Sequence, residues 1–564
     1  MCDIELSKPK LPAGETKPPY PWYVFLILAT EACERFTYYS LSGSLVQFLR
    51  KHLHFEANMA TQISALFSTV SYVSPVAGAY IADKYWGRYK TILFFCAFYI
   101  CGALLTAVGG FPTQGQPSFS TGLASALGLT GLFLGVAVGA GGIKSNVVVL
   151  GADQFELPSQ KQEQDSFFNL FYWVINLGAA VSFLVITNIA ENGMGIVPER
   201  WGFFLAYSIP TVVFAIALAV FFAGRSRYTI NPPAGSAVDE LLATFGAASK
   251  RNLFGFGGVF LCSMIGLLLS FVILVVDTFV GDGTVAYNVM AYTGLATMIL
   301  SFGGASLAGS KPEWICVDAE RPTKAEQDAT HVLRLLPLTP PIVVFWIVYT
   351  QQTTLFQSQG MQMDLHMGST NLSAATLNVF DSVGVMLFTP LCDMLVYPFF
   401  RNRGMPLSMF KKVGIGFVFA SLSVVCAGII EIYRKRSGVA YLPTSEDEQP
   451  MNHLSIWWQA PQYLLIAAGE VFTAITTYEL FYCTLPPHLR SIGQAINLLT
   501  TAFGALGVVG LSAAFANLTP ANLNNGQLEV EFFAIGGLML ATLPLWIFVS
   551  NRFVVPSFGD DTPA

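Results

Sequence analysis

The sequence predicts an all-α integral membrane protein: two six-helix bundles with a two-helix insertion between them, fourteen spanning helices in all. Three observations carry this. Only 11% of the 564 residues are charged, against roughly 25% in soluble proteins. Hydrophobic residues make up 53%, and mean hydropathy is +0.56. Apolar segments of about 20 residues, the length that crosses a bilayer as helix, recur along the whole chain. So few charges cannot coat a soluble surface of this size, which excludes a soluble multidomain enzyme and a disordered scaffold. The net charge of −6 gives no basic footprint for nucleic acid.

The first set of spans is read at 22–49, 59–82, 90–110, 122–150, 166–190 and 202–224. The second set is read at 338–358, 373–397, 408–433, 455–482, 489–516 and 530–551. Between them, 253–279 is as apolar as any core span and 285–308 is a weaker companion, so 253–308 is expected to form an extra helical hairpin. The expected organisation is a cytosolic tail (1–21), an N-terminal bundle (22–224), a linker with the hairpin (225–337), a C-terminal bundle (338–551) and a second cytosolic tail (552–564). Segments 225–252 and 309–330 are read as polar linkers. The first twenty residues lack an apolar core, so the first span is expected to act as the insertion signal.

Lys and Arg bias sets orientation. With the N-terminus inside, the short inner loops hold Lys84, Arg88, Lys90, Lys161, Arg401, Arg403, Lys411, Lys412 and Arg490. Arg225, Arg227, Lys250 and Arg251 in the central connection add to them. Arg50, Lys51, Arg200, Arg434, Lys435 and Arg436 fall outside. Both termini are therefore expected in the cytosol. The sequons at Asn371 and Asn517 then fall in outer loops. The nine cysteines follow no disulfide or metal spacing.

The two halves repeat one feature. Gly78, Asp83, Gly87 and Arg88 follow the second span; Asp393, Arg401, Arg403 and Gly404 follow its counterpart. An acid at a helix end beside arginines in a short loop suggests charge pairs that latch one side of a two-bundle transporter. Asp83, Arg88, Asp393 and Arg401 are the expected gating residues.

An ionisable side chain within a span is a functional signal, since it must be paired or hydrated. Glu31 lies about 14 Å along the first span from Trp22. Glu31, Glu34, Arg35, Tyr38 and Tyr39 share a face of roughly 140°, and Glu31 and Arg35, four apart, can pair. Such a face cannot point at lipid. In the fourth span, Gly135 and Gly139 permit close helix approach. Lys144 follows them and needs an anionic partner: Glu31, Glu34 or a substrate carboxylate. Asp381 and Glu470 are buried acids of the second half, and Glu479, nine residues on, faces the other way. The acids Glu31, Glu34, Asp381 and Glu470 outnumber the cations Arg35 and Lys144 by two. An uncompensated acid in a low dielectric takes up a proton, which is what a proton-coupled site requires. The six histidines (His52, His54, His331, His366, His453, His488) lie outside the spans or at their ends, so the expected proton carrier is a carboxylate.

At these residues the sequence resembles the proton-dependent oligopeptide transporter family of the major facilitator superfamily, along nearly its whole length. Glu31–Tyr39 is similar to the ExxERFxYY signature, GGIKSNVVVLGADQF (141–155) to that of the fourth helix, and FYWVINLGA (171–179) to that of the fifth. Residues 379–390 and 455–473 resemble the eukaryotic, plant-like branch. The resemblance implies symport of di- and tripeptides with protons by alternating access, with Glu31, Glu34 and Arg35 as the coupling cluster. It implies that Lys144 and Asn176 meet the peptide carboxyl end and Glu470 the amino end, while Tyr38, Tyr39 and Tyr72 line the pocket. Tyr349, Asp381 and Asn497 complete the expected binding set. The chain departs from the family pattern at Ser42, where many bacterial members have a second arginine. It departs also at Tyr349 and Thr350 (seventh-helix glutamates), Asn497 (a tryptophan) and Ala65 (a histidine in mammalian members). Nitrate-transporting plant relatives place histidine where this chain has Tyr349, which argues against nitrate. Plant members lack the hairpin that bacterial members carry.

The expected function is thus a proton-coupled di- and tripeptide importer; the alternative is a transporter of nitrate or another small organic solute on the same fold. No nucleophile–base motif, metal spacing or phosphate loop is present, so no enzyme activity is expected. No metal and no cofactor is expected, with protons as the coupling ion. The expected partners are a small peptide, protons and the lipid bilayer, without nucleic acid, around a monomer. The expected location is the plasma membrane, with the vacuole or another endomembrane as the alternative.

Overall fold

The computed structural model describes residues 21–113, 119–156, 159–195, 197–233, 235, 237–280, 285–318, 320–368, 370–443 and 449–553. Apart from Pro21, Arg552 and Phe553, the expected tails lie outside the described residues, as does the side chain of Lys161. The described residues are predominantly helical. The only named strands among the described residues are two short hairpins, 366–371 and 439–452.

We number the long helices in chain order: α1 Val24–Gly43, α2 Ala57–Trp86, α3 Arg88–Gly109, α4 Thr121–Ala152, α5 Ser166–Asn192 and α6 Glu199–Arg227. The central connection holds α7 Ala237–Arg251, α8 Phe256–Val280 and α9 Val285–Ser310. Then come α10 Lys324–Gly360, α11 Ala374–Asn402, α12 Met409–Arg436, α13 Ile456–Cys483, α14 Arg490–Ala514 and α15 Leu528–Arg552. Thirteen of these are long and apolar enough to cross a membrane. α1, expected as the first span, is not among them, since at its centre the apolar pattern gives way to Glu31, Glu34 and Arg35. The segments expected as spans are thus all helical, including both arms of the insertion. α8 is the most apolar of them and also the least buried.

The linkers read as polar are partly helical. α7 is amphipathic, with Asp239 and Glu240 in its first turn and Lys250 and Arg251 in its last, the order the helix dipole favours. α10 opens on a capping box in which Thr323 Oγ1 accepts from the Glu326 amide and Glu326 accepts from the Thr323 amide. That signature was legible at Thr323–Glu326.

The chain forms two compact units. Among the described residues the first comprises 21–55, 70–235 and 365–386; the second comprises 56–69, 237–364 and 387–553. Hydrogen bonds explain why two segments leave their sequence neighbours. In the second unit the Asn58 amide donates to the Ala516 carbonyl at 3.3 Å and Thr519 donates to Asn58 at 3.3 Å. In the first unit Asn188 Nδ2 donates to Thr376 at 2.8 Å and Asn192 to the Asn371 carbonyl at 2.8 Å. There Glu191 also accepts from both Lys51 and Ser373.

In the first unit α1 packs on α5 and α6, and α3 on α4 and α6. Glycines set these distances. A Cβ on Gly135 would lie 2.2 Å from Gly102 Cα, and one on Gly139 2.7 Å from Tyr99 Cβ, so α3 and α4 touch along the stripe the sequence marked. A Cβ on Gly78 would lie 2.4 Å from the Gly141 carbonyl oxygen, which brings α2 against α4. In the second unit α12 packs on α13 and α15, α10 on α14 and α15, and α8 on α9. Large apolar side chains such as Leu134, Ile216, Leu268 and Leu300 stay exposed, as lipid-facing positions do.

The internal repeat has a structural counterpart. Asp83 and Asp393 are each the second residue of a five-residue π-turn, Ala82–Trp86 and Cys392–Val396. The loops that follow turn at Gly87 (φ 73°) and Gly404 (φ 70°), left-handed conformations that glycine adopts without a Cβ penalty.

Candidate functional site

The first unit assembles the charged face of α1. Three hydroxyl contacts seat this helix: Thr37 Oγ1 donates to the Pro210 carbonyl at 3.0 Å, the Ser40 and Ser182 hydroxyls lie 3.0 Å apart, and Ser44 donates to the Tyr207 hydroxyl at 3.3 Å. Gly178 of α5 backs directly onto it, since a Cβ there would lie 2.8 Å from the Ala32 carbonyl oxygen. The FYWVINLGA segment therefore has a packing reason for its glycine.

On this face Arg35 is shared by two acids. Its Nε lies 3.1 Å from Glu31 Oε1 and donates to Glu34 Oε2 at 2.5 Å. All three side chains are buried, at 3% exposure for Glu31, 0% for Glu34 and 5% for Arg35. One guanidinium thus faces two carboxylates, and the far oxygens, Glu31 Oε2 and Glu34 Oε1, are buried without a hydrogen-bond partner. Burying a carboxylate that is only half satisfied is costly. A proton on one of these oxygens would remove the excess negative charge and convert an orphan acceptor into a donor.

Lys144 does not pair with an acid here. Its Nζ sits 4.1 Å from the Tyr38 ring centroid and 3.8 Å from that of Tyr72, without a hydrogen-bond partner. Arg35, on the same helix as Glu31 and Glu34, takes up one oxygen of each, and neither remaining oxygen comes within hydrogen-bond distance of the ammonium. Tyr39 meets Tyr38 edge-on at 5.5 Å and Phe183 at 5.7 Å. The structure therefore groups Glu31, Glu34, Arg35, Tyr38, Tyr39, Tyr72 and Lys144. Asn176 is buried on α5, but its amide turns back to the Tyr172 carbonyl at 3.1 Å. Asp381, in the first turn of the regular part of α11, is buried within the first unit as well.

Tyr349, Glu470 and Asn497 lie in the second unit, on α10, α13 and α14. Tyr349 packs edge-on against Trp346 at 5.1 Å. Glu470 is half-buried near the middle of α13. Asn497 is 1% exposed and its Oδ1 has no hydrogen-bond partner among the described residues.

The expected gating residues divide. Arg88 lies 3.9 Å from Asp83 but donates to Asp153 at 2.6 Å, so its stronger partner is one the sequence reading passed over within the GADQF segment. Arg401 is exposed, and the cation facing Asp393 is Lys412, whose Nζ also covers the Tyr397 ring at 4.2 Å. Lys412 stands in the first turn of α12, as Arg88 stands in the first turn of α3.

One polar cluster escaped sequence reasoning. Arg434 and Glu431, both 0% exposed, form a two-pronged pair at 2.8 and 2.6 Å. Arg434 also donates to Asn452 at 2.8 Å, and Gln359 donates to Glu431 at 3.0 Å. In the sequence Arg434 stands beside Lys435 and Arg436 and reads as one of three loop cations. The i,i+3 acid Glu431 was the available signal.

The model of the POT family matches residues 89–525. Protein NRT1/PTR FAMILY 8.5 of Arabidopsis thaliana is 32% identical over 551 residues, covering 93% of this chain and 88% of that protein. Probable peptide transporter ptr2 of Schizosaccharomyces pombe is 28% identical, covering 88% of this chain and 74% of that one. Among solved structures, the POT family transporter PepTSo superposes with a TM-score of 0.76 at 24% identity, over 95% of this chain and 98% of that chain. The fold is that of the major facilitator superfamily.

Proposed function

Because this chain belongs to the POT family, we propose that it is a proton-coupled symporter that imports di- and tripeptides by alternating access. The observation that carries the reading is the sharing of Arg35 by Glu31 and Glu34, each with one buried oxygen left over. Each of these unpartnered oxygens is a place where a proton can bind when the site opens to water. Two relatives named for peptide transport support the solute: probable peptide transporter ptr2 of Schizosaccharomyces pombe and peptide transporter family 1 of Drosophila melanogaster.

In the proposed cycle a proton enters at Glu31 or Glu34 and weakens that acid's hold on Arg35. The guanidinium then keeps the remaining carboxylate, and the local charge becomes neutral or positive. An anionic peptide terminus is now attracted to Lys144, and Glu470 is assigned the amino terminus. Opening to the cytosol hydrates the cluster and releases the proton. Asp83, Arg88 and Asp153 on one half, with Asp393 and Lys412 on the other, are assigned the latch. Plasma-membrane location and cytosolic termini complete the proposal.

The experiment is uptake into liposomes holding purified protein, with an imposed pH gradient and a panel of dipeptides, tripeptides and nitrate. Dipeptide accumulation that follows the proton gradient is expected. Nitrate accumulation with no peptide uptake would replace the reading by the alternative solute class.

A further inference from the structure

We infer that Asp277 is a second proton-binding site, separate from the α1 cluster: in the folded protein it holds a proton, and this neutral acid fastens the end of α8 to α9 and α14. The inference goes beyond the proposed function and does not depend on which solute the protein moves.

Asp277 is the only charged residue of α8. It is 0% exposed, and neither of its carboxylate oxygens has a hydrogen-bond partner among the described residues. The buried stripe of α8 includes Ser263, Ser270, Leu274, Asp277 and Thr278. Leu274 locates what this stripe faces. Its Cδ2 would lie 2.7 Å from a Cβ on Gly294 of α9 and 3.1 Å from one on Gly510 of α14. Asp277 stands three residues on, hence on the same side of the helix. Its neighbour Thr278 turns its hydroxyl back to the Leu274 carbonyl at 2.9 Å.

Among the described residues, no cation on the helices packed here compensates an anion. α9 contains no Asp, Glu, Lys, Arg or His. The single charged residue of α14, Arg490, opens that helix, about 30 Å before Gly510 at 1.5 Å per residue. On α9 the Tyr292 hydroxyl donates to the Ala514 carbonyl at 3.4 Å. Asp282 and the side chain of Tyr287 lie outside the described residues. α7 and the turn Pro312–Ile315 also touch α8, through Phe245 and Trp314 at Phe260, near its opposite end. The position itself disfavours charge. Asp277 lies in the last turn of α8, where the helix dipole presents its negative end. Beyond α8 lies its exposed apolar face, with Leu268, Val272 and Val276, and lipid there offers no hydrogen bonds. An ionised carboxylate at this spot would be strongly disfavoured. One proton removes the charge and turns an orphan acceptor into a donor. On the orientation expected from the Lys and Arg bias, this end of α8 is the outer one, so acid outside favours the docked hairpin and alkali loosens it.

The test uses purified full-length protein carrying isotope-labelled aspartate. Infrared spectra at mildly acidic pH, above the ordinary carboxylate range, should show the C=O stretch of a protonated aspartic acid that Asp277→Asn loses. Asp277→Leu, a second neutral variant, should lose the same band. A spectrum unchanged by both substitutions would overturn the inference. Failure of Asp277→Asn to fold would overturn it too, because the amide matches the neutral acid in shape and charge. A second arm follows melting temperature against pH. Folded Asp277 keeps a proton that the unfolded chain gives up above the ordinary carboxylate range. Raising pH should therefore weaken wild-type folding about tenfold per pH unit relative to Asp277→Asn, until the folded site also gives up its proton. The two melting temperatures should lie closest at the acid end and diverge as pH rises, with Asp277→Asn the more stable. A difference that stays constant with pH, or one that comes to favour wild type, would overturn the inference. Glu31, Glu34 and the other acids are common to both proteins and cancel in the difference.

Discussion

Arg35 Nε donates to Glu34 Oε2 at 2.5 Å, although the two residues are adjacent on one helix. Neighbours at i,i+1 diverge by about 100° and do not normally face each other. The guanidinium bends back along α1 and reaches Glu31, one turn earlier, at the same time. The cluster is therefore a three-member set that a single proton can rebalance.

Neutralising either acid should separate coupling from folding. Glu34→Gln keeps the shape of the side chain and removes the charge. Proton-driven accumulation of a dipeptide is expected to fall at least tenfold, while exchange of labelled for unlabelled dipeptide at equal pH persists. Counterflow assays in liposomes check this. Arg35→Ala removes the guanidinium that contacts both buried acids and is expected to lose both activities.

The glycine stripe between α3 and α4 sets a stability prediction. Gly135→Ala places a Cβ 2.2 Å from Gly102 Cα, where only backbone is available to yield. Overpacking of this kind costs about 1–3 kcal/mol or more, so a clear drop in melting temperature in detergent is expected. Gly303→Ala on α9 meets nothing within 4 Å and should be neutral or stabilising by up to about 1 kcal/mol.

The Glu431–Arg434 pair predicts asymmetric behaviour. Glu431→Gln leaves a buried guanidinium without its counter-ion and is expected to cost about 3–5 kcal/mol. Replacing both partners, Glu431→Leu with Arg434→Met, should recover part of that loss, because no buried charge is stranded. Thermal unfolding of the two variants side by side decides it.

At the loop between α2 and α3, Arg88 has a near partner in Asp153 and a distant one in Asp83. Asp153→Asn should reduce transport more than Asp83→Asn. All three groups are partly exposed, so the effect on stability should stay within about 1 kcal/mol.

The spans, the hairpin and the charged face of α1 were legible because each depends on a local pattern: a run of apolar residues, or several ionisable groups on one helical arc. The repeat of Asp83 and Asp393 was legible for the same reason and appears as matched π-turns. What could not be read was choice among partners in space. Lys144 had two acids in reach by sequence, yet it rests on Tyr38 and Tyr72, because the packing of α2 and α4 through Gly78 and Gly141 decides the distances. Asp393 faces Lys412 in place of Arg401 because the cation comes from the next helix. Arg434 looked like a loop cation because burial at a helix end leaves no periodic trace. The opening of α10 was read as polar linker, because the polar residues around Thr323 and Glu326 hide their capping box.

The most direct test of the central claim is proton movement driven by the solute. In liposomes with a trapped pH indicator and purified protein, adding a dipeptide outside at symmetric pH should acidify the lumen, and Glu34→Gln and Glu31→Gln should abolish that signal. Dipeptide uptake with no lumenal acidification in the wild type, or unchanged acidification in both variants, would contradict the assignment of proton coupling to the acids that share Arg35.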